Sequence, residues 1–257
     1  MPVLDIKSLS KRFGGLSAIK DVSFEVASGT VSALIGPNGA GKTTVFNLIT
    51  NVFSSDRGEV LFLGKSLLGL SPVEISKMGL IRTFQSARVF PGMTALENVM
   101  IGCHRLASTH AVRQMLWLPS AQNEERRIRE RAAKMLELVG LSHFADAHAI
   151  ELPMGAQKML EVVRALMAQP RLLCLDEPAA GLNDTETREL AKLLRAIRAL
   201  GVSVLLVEHN MTLVMNVADD IVVLDAGAVI AKGHPSVIQN NPAVIEAYLG
   251  REANVTP

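Results

Sequence analysis

VSALIGPNGAGKTTVFNLIT, residues Val31 to Thr50, runs from a short apolar segment through three glycines into a helix-forming stretch. Gly36, Gly41, Lys42 and Thr43 fit the spacing G-x-x-x-x-G-K-[ST] in full. Gly36, Gly39 and Gly41 let the backbone take conformations that a Cβ forbids, so N–H groups of the loop can converge on one anion. A helix starting near Lys42 adds its positive dipole end. Lys42 then reaches the β- and γ-phosphates as a point charge, and the Thr43 hydroxyl can ligate magnesium. Gly-rich turns between a strand and a helix are common, but here glycines, lysine and threonine all fall in register after β-type residues. The expected ligand is a nucleoside triphosphate.

The chain of 257 residues is long enough for one large domain or a domain with an inserted lobe. Lys+Arg 26 against Asp+Glu 25 gives a net charge of +1 without long runs of one sign, so nucleic acid is not an expected partner. Cys103 and Cys174 lack metal-type spacing, and both read as free thiols in a reducing compartment. A mean hydropathy of +0.28 is high. Yet every apolar run breaks before the ~18 residues that a membrane span needs. The N-terminal MPVLDIKSLSKR has no basic segment followed by an apolar core, so secretion is not expected.

Outward from the glycine loop, Val3 to Ile6, Val22 to Val26, Val31 to Ile35 and Gly58 to Leu63 read as strands. Phe13 lies beside two glycines on an expected loop, where its face could stack on a purine or tuck into the core. SPVEISKMGL reads as a short helix opened by a serine cap and a proline. Gln85 then falls near a strand end, in reach of a metal or an attacking water. After a polar break at SAQN, EERRIRERAAKMLELVG places Ile128, Ala132, Met135, Leu136 and Val139 on one helical face, with Gly140 as the cap.

ELPMGAQKMLEVVRALMAQP is a loop and helix that stop at Pro170, and RLLCLDEP is a buried strand ending in two carboxylates. Asp176 is placed to hold magnesium through water, and Glu177 to act as base for an attacking water. NDTETRELAKLLRAIRALG turns Leu190, Leu193, Leu194 and Ile197 inward. VSVLLVEH is one more parallel-type strand, ending at His209. Ligands of open α/β sheets bind at the carboxyl ends of strands, so Gln85, Asp176 and His209 point to one shared site. IVVLDAGAVIAKG reads as a hairpin around Asp225-Ala226-Gly227, and NPAVIEAYLG as a last short helix.

The glycine loop, Gln85, LPMGA, LCLDEP, AAGLN and VEH stand in an order that resembles the ATP-binding cassette ATPases over nearly the whole chain. Within them the chain is most similar to the cytoplasmic ATP-binding subunit of branched-chain amino-acid importers, and of relatives carrying amides, urea or aromatic acids. That narrower resemblance rests on IRTFQSARVFPGMTALENV, LDEPAAGLN, VEHNMTLVMNVAD and NNPAVIEAYLG.

The resemblance implies an α/β fold: a P-loop NTPase (RecA-like) core with an N-terminal antiparallel β subdomain and an inserted α-helical signature subdomain. Residues 1–257 would form a single nucleotide-binding domain, with its core at about 1–85 and 170–257 and its helical part at about 86–169. It further implies that Phe13 stacks on adenine. Gly36, Pro37, Asn38, Gly39, Ala40, Gly41, Lys42, Thr43 and Thr44 would hold the phosphates of ATP and its Mg2+. Gln85 would sense the γ-phosphate and, with Thr43 and Asp176, serve the metal; Glu177 would polarise the water and His209 hold the γ-phosphate. Two ATPs would lie between two such subunits, each facing the other chain's signature loop. The implied partners are two integral-membrane permease subunits, a second homologous ATPase and, indirectly, a solute-binding protein. The chain would then sit peripherally on the cytoplasmic face of the inner membrane.

Two departures stand out. The usual signature L-S-G-G-Q is here Leu152, Pro153, Met154, Gly155 and Ala156, with Gln157 one place later. Pro153 offers neither a hydroxyl nor an N–H to a partner's γ-phosphate, a loss of about 1.5–3 kcal/mol or ~10- to 100-fold. Proline also suits the start of a helix, so a tolerated structural replacement is the plainer reading. Because this chain's own phosphate loop, Glu177 and His209 are intact, the expectation is a heterodimer with one strong and one weak site; a homodimer remains the other arrangement. Asn183 replaces an aspartate after AAGL and has no consequence legible in sequence. The competing class is a nucleotide-gated binding module that hydrolyses slowly or never, as Pro153 would suit.

Overall fold

The protein is described here by a computed structural model covering residues 2–83, 88–103 and 119–252. The elements begin with β1 (Pro2–Phe13), β2 (Leu16–Ala27), β3 (Val31–Ile35), α1 (Lys42–Ile49), β4 (Arg57–Phe62), β5 (Lys65–Ser66), α2 (Pro72–Met78) and β6 (Leu80–Arg82). Then come α3 (Ala95–Ile101), α4 (Pro119–Leu138), α5 (Met154–Met167), β7 (Leu172–Asp176), α6 (Asp184–Ala199) and β8 (Ser203–Val207). The run closes with α7 (Met211–Val217), β9 (Asp220–Asp225), β10 (Ala228–Gly233), α8 (Pro235–Ile238) and α9 (Pro242–Glu252). The chain divides into two compact units, one of residues 1–82, 171–180 and 194–257, the other of residues 83–170 and 181–193.

The first unit contains two sheets, an antiparallel one ordered β2-β1-β4-β5 and a six-stranded one ordered β10-β9-β3-β8-β7-β6. Every residue of β3, β7 and β8 is buried, as expected for parallel strands covered on both faces. Register joins them closely: Leu34 of β3 pairs with Val207 of β8, which pairs with Asp176 of β7. The carboxyl ends of β3, β7 and β8 therefore lie side by side. Their core is shared with Phe46 and Ile49 of α1 and with Leu4, Ile6 and Phe62 of the antiparallel sheet.

β1 and β2 run further than alternation alone indicated, each twelve residues with several register irregularities along the pairing. Phe13, expected on a loop, is the last residue of β1 and pairs with Leu16 across the Gly14-Gly15 turn. The Asp225-Ala226-Gly227 hairpin forms as expected. Its central residues Ala226 and Gly227 have φ of 45° and 83°, the doubly positive pattern that matches strand twist in two-residue turns.

The second unit is helical. In α4, Ala132 and Leu136 are buried while Ile128 and Met135 are half-buried, the face that the periodicity predicts, and Val139, half-buried, follows directly after the helix. The SAQN segment does not interrupt the helix; α4 begins at Pro119 and continues through it. Gln122 and Asn123 are exposed, so their polarity suits a solvent face and gave a false break signal.

Candidate nucleotide site

The loop between β3 and α1 is built from its glycines. Gly36 and Gly41 have φ of 151° and 105°. A Cβ on Gly36 would collide with the Leu224 carbonyl of β9, and one on Gly41 would lie 2.7 Å from Ile19 Cδ1 of β2. The loop is thus wedged between two strands at positions where only glycine fits. The Gly227 N–H donates to the Ala40 carbonyl at 3.0 Å, tying the β9–β10 turn to the loop. Gly41 caps α1 without a side-chain hydrogen bond, which leaves the helix's first N–H groups for an anion.

Lys42 is only 6% exposed, and its ammonium donates to the Gly36 carbonyl at 2.6 Å and the Pro37 carbonyl at 3.1 Å. The cation is folded back onto the loop it must serve, so its charge is held where phosphate oxygens would lie. A cleft of about 590 Å³ opens beside it, bounded by Phe13, Asn38 to Thr44, Glu177 and Ala226. Phe13 is 43% exposed at its edge and meets Phe53 edge-on at 5.6 Å between ring centroids. Its ring is therefore left partly open beside the cleft rather than taken into the core. Cradle, uncapped helix, buried cation and exposed aromatic together fit a nucleoside triphosphate.

Asp176 ends β7 and is 4% exposed. Its Oδ2 accepts from Arg82 Nη2 at 3.2 Å. Nη1 of the same guanidinium donates to Asn47 Oδ1 and Thr50 Oγ1 of the P-loop helix region at 2.6 and 2.9 Å, and the group lies 4.6 Å over the Phe46 ring. Burial raises the Asp176 carboxyl above its ordinary value despite the opposing pull of Arg82. Thr43 lines the cleft with an exposed side chain. A threonine hydroxyl and a carboxylate are oxygen donors of the type magnesium takes when phosphates supply the rest.

Glu177 follows directly and has φ of 47°, a left-handed conformation unusual outside glycine. Its N–H donates to the Val207 carbonyl at 2.9 Å, and its carbonyl accepts from Ala180 N–H at 3.1 Å. His209 lies two residues past β8, where its Nδ1 stands 3.8 Å from Glu177 Oε2. Asp176, Glu177 and His209 are therefore grouped at adjoining strand ends, which brings together two of the three residues expected to share a site. Gln85 lies outside the described residues.

The expected signature residues lie in the second unit. Leu152 is buried, and Pro153 occupies the cap position of α5 with no side-chain cap bond. Gln157 ties down the chain that enters α5: its Nε2 donates to the Leu152 and Ile150 carbonyls at 2.8 and 3.1 Å. Met154 is 61% exposed, while a Cβ on Gly155 would collide with the Glu186 carboxylate. Ala156 is half-buried. Asn183 has a structural task that sequence did not suggest. Its Oδ1 accepts from Thr185 and Glu186 N–H at 2.9 and 3.0 Å, and Glu186 Oε2 accepts from Asn183 N–H at 2.9 Å. That reciprocal pair caps α6, a task asparagine performs as well as aspartate.

Arg82 and Glu208 are the site residues that sequence reading missed. The signal for Glu208 was present: a carboxylate placed directly after the five buried residues of β8 must find buried donors. Arg82 had no comparable signal, because its partner Asp176 is 94 residues away.

The profile of the ABC transporter family matches residues 19–180, and that of the "Branched-chain amino acid ATP-binding cassette transporter" matches residues 228–254. The chain is 44% identical to the high-affinity branched-chain amino acid transport ATP-binding protein BraF of Pseudomonas aeruginosa over 250 residues, 97% of this chain and 98% of BraF. It is 43% identical to LivG of Escherichia coli K12, which carries the same description, over equal shares. Among solved structures it is similar to the ADP conformation of MJ1267, an ATP-binding cassette of an ABC transporter, with a TM-score of 0.83 and 34% identity over 97% of this chain and 99% of that one.

Proposed function

The chain belongs to the ABC transporter family, and from that premise we propose that it is the ATP-hydrolysing subunit of a high-affinity importer of branched-chain amino acids. The observation that carries this reading is the full-length likeness to BraF and LivG, joined to the separate branched-chain match over residues 228–254.

Each residue then takes a role. Phe13 stacks on the adenine. Gly36 to Thr44 enclose the phosphates, with Lys42 giving up its two loop carbonyls for phosphate oxygens. Thr43, with Asp176 and Gln85 in support, would hold magnesium, which would supply positive charge to offset that of the phosphates. Glu177 accepts the proton of the attacking water, and His209 holds the γ-phosphate oxygen while orienting the Glu177 carboxylate. Leu152 to Ala156 face the ATP of a second cassette. That second ATPase, two permease subunits and a solute-binding protein complete the transporter at the cytoplasmic face of the membrane.

Among the described residues no helix is long and apolar enough to cross a membrane, in keeping with a subunit that docks on permeases. The test is ATP turnover by the assembled complex in the presence of a solute-binding protein loaded with leucine. Glu177→Gln should cut turnover to a small residual rate while nucleotide binding persists. Turnover unchanged by Glu177→Gln would replace this reading with that of a nucleotide-gated clamp.

A further inference from the structure

Glu208 sits at the junction of two loops that the proposed mechanism needs and has no role in it so far. It is fully buried. Its Oε1 accepts from Ala179 N–H at 2.7 Å, and its Oε2 accepts from His209 and Asn210 N–H at 3.0 and 3.1 Å. All three contacts are donated to it, the pattern that an ionised carboxylate accepts. Ala179 belongs to the turn after Glu177, and His209 and Asn210 open the loop after β8. One carboxylate thus fastens together the segment that carries Glu177 and the segment that carries His209.

The backbone around Glu177 needs such a fastening. A glutamate at φ 47° is held in a sparsely populated region, and it stays there only if surrounding bonds over-determine it. The Glu177 N–H bond to Val207 and the Ala180 bond back to Glu177 fix the two ends of that turn, and the Ala179 bond to Glu208 fixes its middle. The same side chain also holds the two amides that follow it, those of His209 and Asn210, and so sets the backbone that carries His209 beside Glu177.

We propose that Glu208 is a positioning residue for ATP hydrolysis, a buried carboxylate that couples the Glu177 turn to the His209 loop so that the two side chains act as one unit. This rests on the hydrolytic reading above. It touches no substrate; it acts through the geometry of the other two. Loops joined through one carboxylate move together, so a change in either reaches the other without passing through the nucleotide.

The experiment combines kinetics with hydrogen exchange. Glu208→Gln keeps the volume and one acceptor but presents an amide donor to N–H donors, so one of the two loops loses its anchor. In the assembled complex kcat should fall about 10- to 100-fold, the range of a lost charge-assisted bond, with KM for ATP and binding of a fluorescent ATP analogue unchanged within about twofold. Placed on Glu177→Gln, the same change should have no further effect on residual turnover, since the residue it serves is gone. In the unmutated protein the amides of Ala179, His209 and Asn210 should show one common protection, a prediction that requires neither a variant nor turnover. Loss of ATP affinity in step with kcat, an effect that persists undiminished on Glu177→Gln, or independent exchange of the two loops would overturn the coupling. Absence of turnover in the parent complex would instead strike the hydrolytic reading, while the exchange pattern would still decide the coupling.

Discussion

Asp176 holds a buried carboxyl whose ionisation is opposed by burial more strongly than Arg82 favours it. Its folded value is raised above the unfolded one. The folded chain therefore binds this proton more tightly, and the group's contribution to stability is fullest below the unfolded value near 3.8. That contribution is lost as pH rises through the folded value. Asp176→Asn removes the charge while Arg82 keeps Asn47 and Thr50 as partners. The melting temperature at pH 7 should equal or exceed the parent's, with the gap narrowing toward pH 4, and Mg-ATP turnover should fall at least ~10-fold. A melting point several degrees lower would mean that the ion pair dominates. Burial also pushes the Cys174 thiol up to about 12 and raises Cys103, and both are buried. A chromogenic disulfide reagent at pH 8 should therefore find no reactive thiol in the folded protein and two after unfolding. One fast equivalent in the folded protein would contradict this.

At this scale the phosphate loop was legible because its chemistry is contiguous: glycines, lysine and threonine specify each other within eight residues, Gly36 to Thr43. Glu208 and Arg82 were not, because a buried charge discloses its partners only when distant segments meet. The consequence of Asn183 was hidden for a smaller reason. The exchange for aspartate removes a charge, but the side-chain oxygen that caps α6 is common to asparagine and aspartate.

Among elements, α2 shows how far a short helix depends on its first turn. Ser71 Oγ accepts from Glu74 N–H at 3.3 Å, and Glu74 Oε2 accepts from Ser71 N–H at 2.8 Å, with Pro72 opening the helix. The Ser71 bonds hold the Glu74 carboxyl below its ordinary 4.5, so the stabilisation is present above that value and is lost as pH falls through the lowered one. Ser71→Ala should lower the urea unfolding midpoint at pH 7, and the loss should shrink as the solution is acidified. A cost that does not change with pH would show that the hydroxyl acts without the carboxylate.

Elements with a single clear period were legible. β3 forms over Val31–Ile35 as predicted, and α6 buries Leu190, Leu193, Leu194 and Ile197. What was underestimated is the antiparallel sheet. β1 extends to Phe13 through Lys, Ser and Arg because pairing with β2, rather than burial, holds its outer half, and the register irregularities erase the alternation on which a sequence reading depends.

For the whole molecule, the proposed assembly turns on Pro153. Gln157 and the backbone stabilise the start of α5 without it, so a serine there should be tolerated by the fold. In a heteromeric complex whose other cassette has an intact signature, Pro153→Ser should restore a hydroxyl to the weaker ATP site. It should raise turnover several-fold, within the ~10- to 100-fold that a charge-assisted bond can supply. An unchanged rate would remove the one-sided defect and favour a homodimer or a complex limited elsewhere. The transport role itself is read from uptake of labelled leucine into proteoliposomes containing the complete importer, with ATP on the cassette side. Accumulation should require ATP and vanish with Glu177→Gln in this chain. ATP hydrolysis without uptake of leucine, isoleucine or valine would contradict it.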